Sequence, residues 1–403
     1  MTPPDRTAGL LVAAPHRPSA LRHGSSTSQL VDAARLAAPA AMAAAFAFVY
    51  AGCALLLSHP AAASGTEGYG YVGSTSLHGL LRWDGAWYAR IAQDGYQATA
   101  GRYQPFAFFP LFPALASGLH WALPFLSIPA AGIAVNVMAV VAAAVLVDRS
   151  LPAWRLSHRL LLIAALLAMP SAFFDVAFYS EGLFLFASAL VVWSVAKPSR
   201  LTWAPLGVVL GSLDRPLGFL LVILVLAALR RREQTARQRL TIAAASLLGA
   251  IAVPVLYWRL AGNPIAFVTA QGGWTSLHTL GLGDSLRWLL VQLNPWSATN
   301  PVVSFGYWEA LVLAVPVLLY VRRHRPDVAL YGAFAAAGGF LLGGVGTQSR
   351  YLAALVPLWI AALIALHRGS QRRWIAVAMV VSVTGLACNL WLISRFAAGV
   401  WAG

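Results

Sequence analysis

From about residue 36 onward the chain is a succession of apolar runs, each cut off from the next by a short basic or proline-containing segment. An α-helix needs about 20 apolar residues to cross roughly 30 Å of hydrocarbon. Runs of that order lie at 36–58, 128–147, 159–175, 182–196, 240–260, 301–321, 328–346, 352–366 and 374–394. Two shorter runs, 203–213 and 217–229, flank Asp214-Arg215-Pro216. Backbone polar groups in lipid must be satisfied within the segment, which leaves helices or closed barrels. The period-two alternation of a barrel strand is absent, so the runs predict helices. With 59% hydrophobic and 10% charged residues the chain is excluded from the ordinary soluble classes. The expected fold is all-α, a polytopic transmembrane helical bundle of about 9–11 membrane segments with interfacial helices in the first outer loop.

The net charge of +15 does not point to nucleic acid, because the arginines concentrate between apolar runs. Segments 149–159, 197–200, 230–239, 322–325 and 368–373 carry them, and positive loops stay on the cytoplasmic side. Residues 1–35, rich in Ala, Pro, Ser and Arg without periodicity, read as a disordered cytoplasmic tail, and 36–403 as one transmembrane domain. A secretory signal competes for 36–57, given Ala61-Ala62-Ala63-Ser64 behind it, but the run is longer than a signal core. The expected place is the plasma membrane, multi-pass, with the N-terminus cytoplasmic. The outer loops are then 59–105 and 261–300, and Asp175 to Glu181, Asp214-Arg215 and Gln348 to Tyr351 share their side. Parity requires 106–126, with Pro105, Pro110, Pro113 and Pro124, to dip into the membrane or lie along it. Cys53 and Cys388 sit in apolar runs at no metal or disulfide spacing and read as core.

The densest chemistry follows the first run, in Arg82-Trp83-Asp84-Gly85-Ala86-Trp87-Tyr88-Ala89-Arg90-Ile91. On a helix, Asp84 shares a face with Leu77, Leu80, Leu81, Trp87, Tyr88 and Ile91, while Arg82, Ala86, Ala89 and Gln93 take the other side. That predicts an interfacial helix with its carboxylate aimed into a pocket; the alternative is that Asp84 caps a helix or pairs with Arg90. A carboxylate at membrane depth costs about 3 kcal/mol on the mildest scale, so Asp175 and Glu181 are expected to be paired or functional unless they sit at a wet corner. Arg215 and Arg350, each isolated in apolar sequence, suit bidentate capture of a phosphate or carboxylate. An internal salt bridge of Arg215 to Asp175 or Glu181 is the other reading. The glycines of 338–344 lie in an apolar run and read as a close helix contact.

These blocks resemble the PIG-V-like mannosyltransferases, the family of the second mannosyltransferase of GPI-anchor assembly and its prokaryotic relatives. The resemblance rests on Trp83-Asp84-x-x-Trp87-Tyr88-x-x-Ile91-Ala92-x-x-Gly95-Tyr96 followed by Ala107-Phe108-Phe109-Pro110-Leu111-Phe112-Pro113. Tyr179-Ser180-Glu181-Gly182-Leu183-Phe184, Arg215-Pro216-Leu217-Gly218, Gly262-Asn263-Pro264-x-Ala266-Phe267-x-x-Ala270-Gln271 and Ser349-Arg350-Tyr351 follow in the same order, over roughly residues 80–366. It implies a GT-C type glycosyltransferase whose site opens on the non-cytoplasmic face and which takes a polyprenyl-phosphate sugar, usually mannose. Carried onto this chain, Asp84 is the candidate general base, Arg215 and Arg350 the phosphate partners, and Tyr179 and Glu181 the shapers of the sugar site. Trp83, Trp87 and Tyr88 are flat surfaces for sugar or prenyl chain, or interfacial anchors. Arg90, Gln271 and Tyr351 complete the candidate substrate-binding set. The acceptor is open: a glycolipid, a polysaccharide or a protein hydroxyl. No cofactor is expected from the pattern, since a divalent metal finds no Asp-x-Asp pair to support it. Buried Arg215 at a broken helix also suits the competing reading, a transporter or lipid flippase.

Overall fold

The computed structural model describes residues 26–58, 77–99, 101, 103–230, 234–273, 282–294, 301–342 and 348–400. Among them the structure is all-helical. The helices are α1 (Ser26–Leu56), α2 (Asp84–Asp94), α3 (Leu111–Ala122), α4 (Ile128–Ser150), α5 (Leu156–Leu167), α6 (Glu181–Val195), α7 (Ala204–Asp214), α8 (Leu221–Leu229) and α9 (Ala236–Ala261). Then come α10 (Ala266–Gln271), α11 (Leu282–Leu293), α12 (Pro301–Arg322), α13 (Pro326–Leu342), α14 (Gln348–Ala353), α15 (Val356–Gly369) and α16 (Gln371–Ala397). Of these, α4, α9, α12, α16 and the 37–56 part of α1 are long and apolar enough to cross a membrane. Others of the expected spans are shorter helices, such as α5, α6 and α15. The run 159–175 is not one helix: α5 ends at Leu167 and an irregular segment leads to a 3₁₀ turn at Ala172–Asp175. Helix α1 takes in the last residues of the expected tail, whose first 25 lie outside the described residues.

Helix α4 shows how the bundle places its charges. Near its start, Asn136 contacts the 177–179 segment. Near its end, Asp148 pairs with Arg159 at 2.7 Å. Twelve residues of helix separate these contacts by about 18 Å. Arg200 reaches the Arg149 carbonyl at that same far end. There too the His158 and His367 rings meet at 3.2 Å with Gln371 against His158. The basic segments 149–159, 197–200 and 368–373 therefore cluster at one end of α4, and the 175–181 corner sits toward the other.

Irregular backbone is tolerated at membrane depth only where protein satisfies it. Two asparagines do so for 168–180. Asn389 of α16 donates to the Ala168 and Met169 carbonyls and accepts from the Phe173 amide. Asn136 of α4 donates to the Ala177 and Tyr179 carbonyls. The short pair α7 and α8 flanks the Asp214-Arg215 break as expected, and the 3₁₀ turn Pro216–Leu220 that leads into α8 packs on α7 where Gly218 faces Gly211. Expected to dip or lie along the membrane, 106–126 forms the 12-residue α3 packed on α4.

Candidate functional site

Four charged side chains from four separate segments form one chain of ion pairs. Asp84 and Glu181 are the first residues of α2 and α6, where the exposed amides of a helix N-terminus favour negative charge. Arg215 stands in extended backbone directly after α7, and Arg350 lies in the short α14. Arg350 donates from Nε (2.9 Å) and Nη2 (2.7 Å) to Glu181 Oε1, and from Nη1 to Asp84 Oδ2 at 2.7 Å. Arg215 Nη1 sits 2.8 Å from the same Glu181 oxygen as an ion pair without hydrogen-bond alignment. Glu181 Oε2 is buried with no hydrogen-bond partner among the described residues. Asp84 is the open end of the chain, its side chain 21% exposed against 4% for Glu181 and 5% for Arg350.

Aromatic faces surround the cations. The Arg350 guanidinium carbon lies 4.8 Å from the Phe174 ring centroid and 4.7 Å from that of Tyr179; Arg215 lies 5.5 Å from Tyr351 and 5.9 Å from Phe184. Burial alone would lower Arg350, but the Glu181 and Asp84 carboxylates raise it well above the ordinary arginine value, so it stays a cation. Burial, helped by the negative charges of Glu181 at Tyr88 and Asp84 at Tyr179, pushes both phenols up. Each therefore remains a donor: Tyr88 to Ser180 Oγ at 2.9 Å, Tyr179 to the Arg82 carbonyl at 2.7 Å.

The segment before Asp84 is held from several sides. The Phe178 amide donates to the Leu80 carbonyl. Arg82, buried, donates from Nη2 to the Ala397 carbonyl at the end of α16. Trp83 takes φ 54 and ψ −118, a region that costs a non-glycine residue on the order of 1–3 kcal/mol and persists only where the surroundings enforce it. The strain falls on the residue immediately before the partly exposed Asp84 carboxylate.

Beside the charges lies an apolar cavity of about 240 Å³, lined among others by Leu217, Phe219, Phe267, Phe334 and Gly338. Tyr351 and Gln271 also line it, so Tyr351 touches both the cavity and Arg215.

Several expectations are corrected. Asp84 pairs with Arg350 and not with Arg90, whose guanidinium lies 6.0 Å from the Trp87 ring. Helix α2 has no polar outer side: Ala86 and Ala89, expected there, are fully buried, as is nearly all of Arg82. Trp87 is neither an anchor nor an open platform, because it is 2% exposed and stacked on Phe108 at 5.7 Å. Tyr88 is likewise core, edge-on to Phe108 and Phe112. Arg215 makes the internal salt bridge foreseen as its alternative role, to Glu181. The residues brought together are thus Asp84, Tyr179, Glu181, Arg215, Arg350 and Tyr351, with Gln271 at the cavity and Trp83 behind Asp84. Asn136, Asn389 and Glu309 were missed; the last carried a usable signal, a lone carboxylate inside an apolar run.

No protein-family model matches the chain, and no curated protein matches it. Among solved structures, the Archaeoglobus fulgidus oligosaccharyltransferase in complex with Zn and sulfate aligns with 89% of this chain and 53% of its own, at 12% identity and a TM-score of 0.40. The chain spans about half the length of that structure. A likeness at this level leaves function to be argued from the site.

Proposed function

We propose that the protein is a membrane glycosyltransferase of GT-C type that moves a mannosyl or related residue from a polyprenyl-phosphate sugar to a hydroxyl of an envelope acceptor. The observation that carries this reading is the junction at Tyr351 and Arg350. Two buried arginines share one carboxylate, a second and more exposed carboxylate hangs on Arg350, and the apolar cavity opens beside them. Apolar walls suit an isoprenoid chain, and guanidinium groups suit the phosphate that follows it. The motif resemblance to PIG-V-like mannosyltransferases supports the same assignment and supplies mannose as the first sugar to test.

In the resting site Arg350 occupies Asp84. An arriving phosphate competes for the guanidinium, and as it takes over Nη1 the carboxylate is released toward the acceptor. The acceptor oxygen then attacks the anomeric carbon from the face opposite the phosphate. The new C–O bond forms as the sugar–phosphate bond breaks, Asp84 takes the hydroxyl proton, and polyprenyl phosphate leaves against Arg215 and Arg350. One displacement of this kind inverts the anomeric configuration. The site faces the non-cytoplasmic side of the plasma membrane if the clustered arginines at the opposite end of α4 are cytoplasmic.

Radiolabelled polyprenyl-phosphate mannose supplied to membranes holding wild-type protein should label a lipid, polysaccharide or protein fraction, and Asp84→Asn should abolish the labelling. Label that stays on its polyprenyl carrier while the carrier changes leaflet would favour a flippase and sink the enzyme reading.

A further inference from the structure

Helix α12 carries a carboxylate that the scheme above does not use. Glu309 is 7% exposed inside a membrane-length apolar helix, and among the described residues it makes no ion pair. Its Oε2 accepts from Ser349 Oγ at 2.6 Å, and Ser349 Oγ in turn accepts from Ser171 Oγ at 2.8 Å. Ser349 immediately precedes Arg350. Ser171 is, besides Trp83, the other non-glycine residue with positive φ (68°) among the described residues. Helix α12 also comes close enough to α14 that a Cβ on Gly306 would stand 2.9 Å from the Ser349 amide nitrogen. Directly after Glu309 the helix widens into a π turn, Ala310–Ala314, a rare form found mostly at functional sites.

We infer that Glu309 is a positioning residue that aims Arg350 through Ser349. Helix α14 is six residues long, too short to hold its own orientation. The Ser349 hydroxyl, donating to Glu309 and accepting from Ser171, pins its first turn between α12 and the backbone entering the 172–175 turn. With Ser349 fixed, the guanidinium one residue on is presented to Glu181 and Asp84 together. What Glu309 supplies is an acceptor oxygen at a fixed place, so its carboxylate charge is dispensable. The functional consequence rests on the phosphate role proposed for Arg350; the structural one does not.

The test pairs Glu309→Ala with the isosteric Glu309→Gln, which keeps an acceptor oxygen, and with Ser349→Ala. Backbone hydrogen exchange over 348–353 and binding of polyprenyl phosphate are measured on full-length protein in nanodiscs. Expected are exchange in 348–353 faster by about tenfold and polyprenyl-phosphate affinity weaker by about tenfold in Glu309→Ala, the scale of one lost buried hydrogen bond. Glu309→Gln should restore both to within about twofold, and Ser349→Ala should reproduce Glu309→Ala without adding to it in the double variant. Unchanged exchange in Glu309→Ala, or failure of Glu309→Gln to rescue, would overturn the inference. If no protein, wild type included, binds polyprenyl phosphate, the donor reading fails while the exchange measurement still decides the role of Glu309.

Discussion

Arg215 and Arg350 approach the same oxygen of Glu181, at 2.8 and 2.7 Å. Two cations in a protein interior with one shared anion are tolerable only while that anion is present. Removing one member of a buried ion pair costs about 3–5 kcal/mol because the partner is left uncompensated. Glu181→Gln should therefore lower the thermal unfolding midpoint in detergent far more than Asp84→Asn, which leaves an acceptor on a partly exposed side chain and costs about 1 kcal/mol. Equal shifts for the two variants would mean that Glu181 is not the anchor of the chain.

Arg350 engages Glu181 with Nε and Nη2 and Asp84 with Nη1. A lysine carries the same charge but a single donor centre, so Arg350→Lys can serve one carboxylate well and not both. The expected outcome is an intact fold with polyprenyl-phosphate affinity reduced by about 10- to 100-fold, the worth of one or two charged hydrogen bonds. Affinity equal to wild type, measured by equilibrium binding of the lipid phosphate, would assign the phosphate to another cation.

Glu181, Arg215 and Arg350 are visible in the sequence because they interrupt apolar surroundings, where a charge needs a reason, and Asp84 because it stands in the densest polar and aromatic block. Their pairing was not visible. Asp84 and Arg350 are 266 residues apart, and local sequence offers Arg90, six residues from Asp84, in its place. The face of α2 was misread for a related reason. Periodicity separates large apolar residues from small ones but does not reveal that another element covers the small side, and Ala86 and Ala89 are compatible with either water or close packing. Glu309, like Asp175 and Glu181, is a carboxylate set in apolar sequence, but the length of an apolar run says nothing of a charge inside it. The asparagines that support the 168–180 backbone carry no such signal, since a polar amide in an apolar helix has many uses.

Gly338 lines the apolar cavity, and a Cβ built on it meets nothing within 4 Å. Gly338→Leu should place its side chain in that space and leave the fold intact, the larger helix propensity offsetting any local adjustment. If the cavity takes the isoprenoid chain, the variant should raise KM for a long-chain donor by about tenfold, the scale of burying one or two fewer CH₂ groups, and leave a donor with a single isoprene unit unaffected. A loss that is the same for long and short donors would move the chain elsewhere.

Gly218 follows the Arg215-Pro216 break, and a Cβ there would stand 1.9 Å from the Gly211 carbonyl carbon and oxygen. Backbone cannot rotate away as a side chain can, so Gly218→Ala must push the 3₁₀ turn Pro216–Leu220 off α7 and carry Arg215, three residues earlier, with it. Overpacking of this kind costs about 1–3 kcal/mol. Gly118, exposed on α3 with nothing within 4 Å of its built Cβ, is the matched control. There alanine should be neutral or stabilising by about 0.5–1 kcal/mol, because it lowers the freedom of the unfolded helix segment. Thermal unfolding of the two variants in the same detergent decides the matter. If Gly218→Ala unfolds no earlier than Gly118→Ala, the contact between α7 and the 216–220 turn is not what holds Arg215 against Glu181.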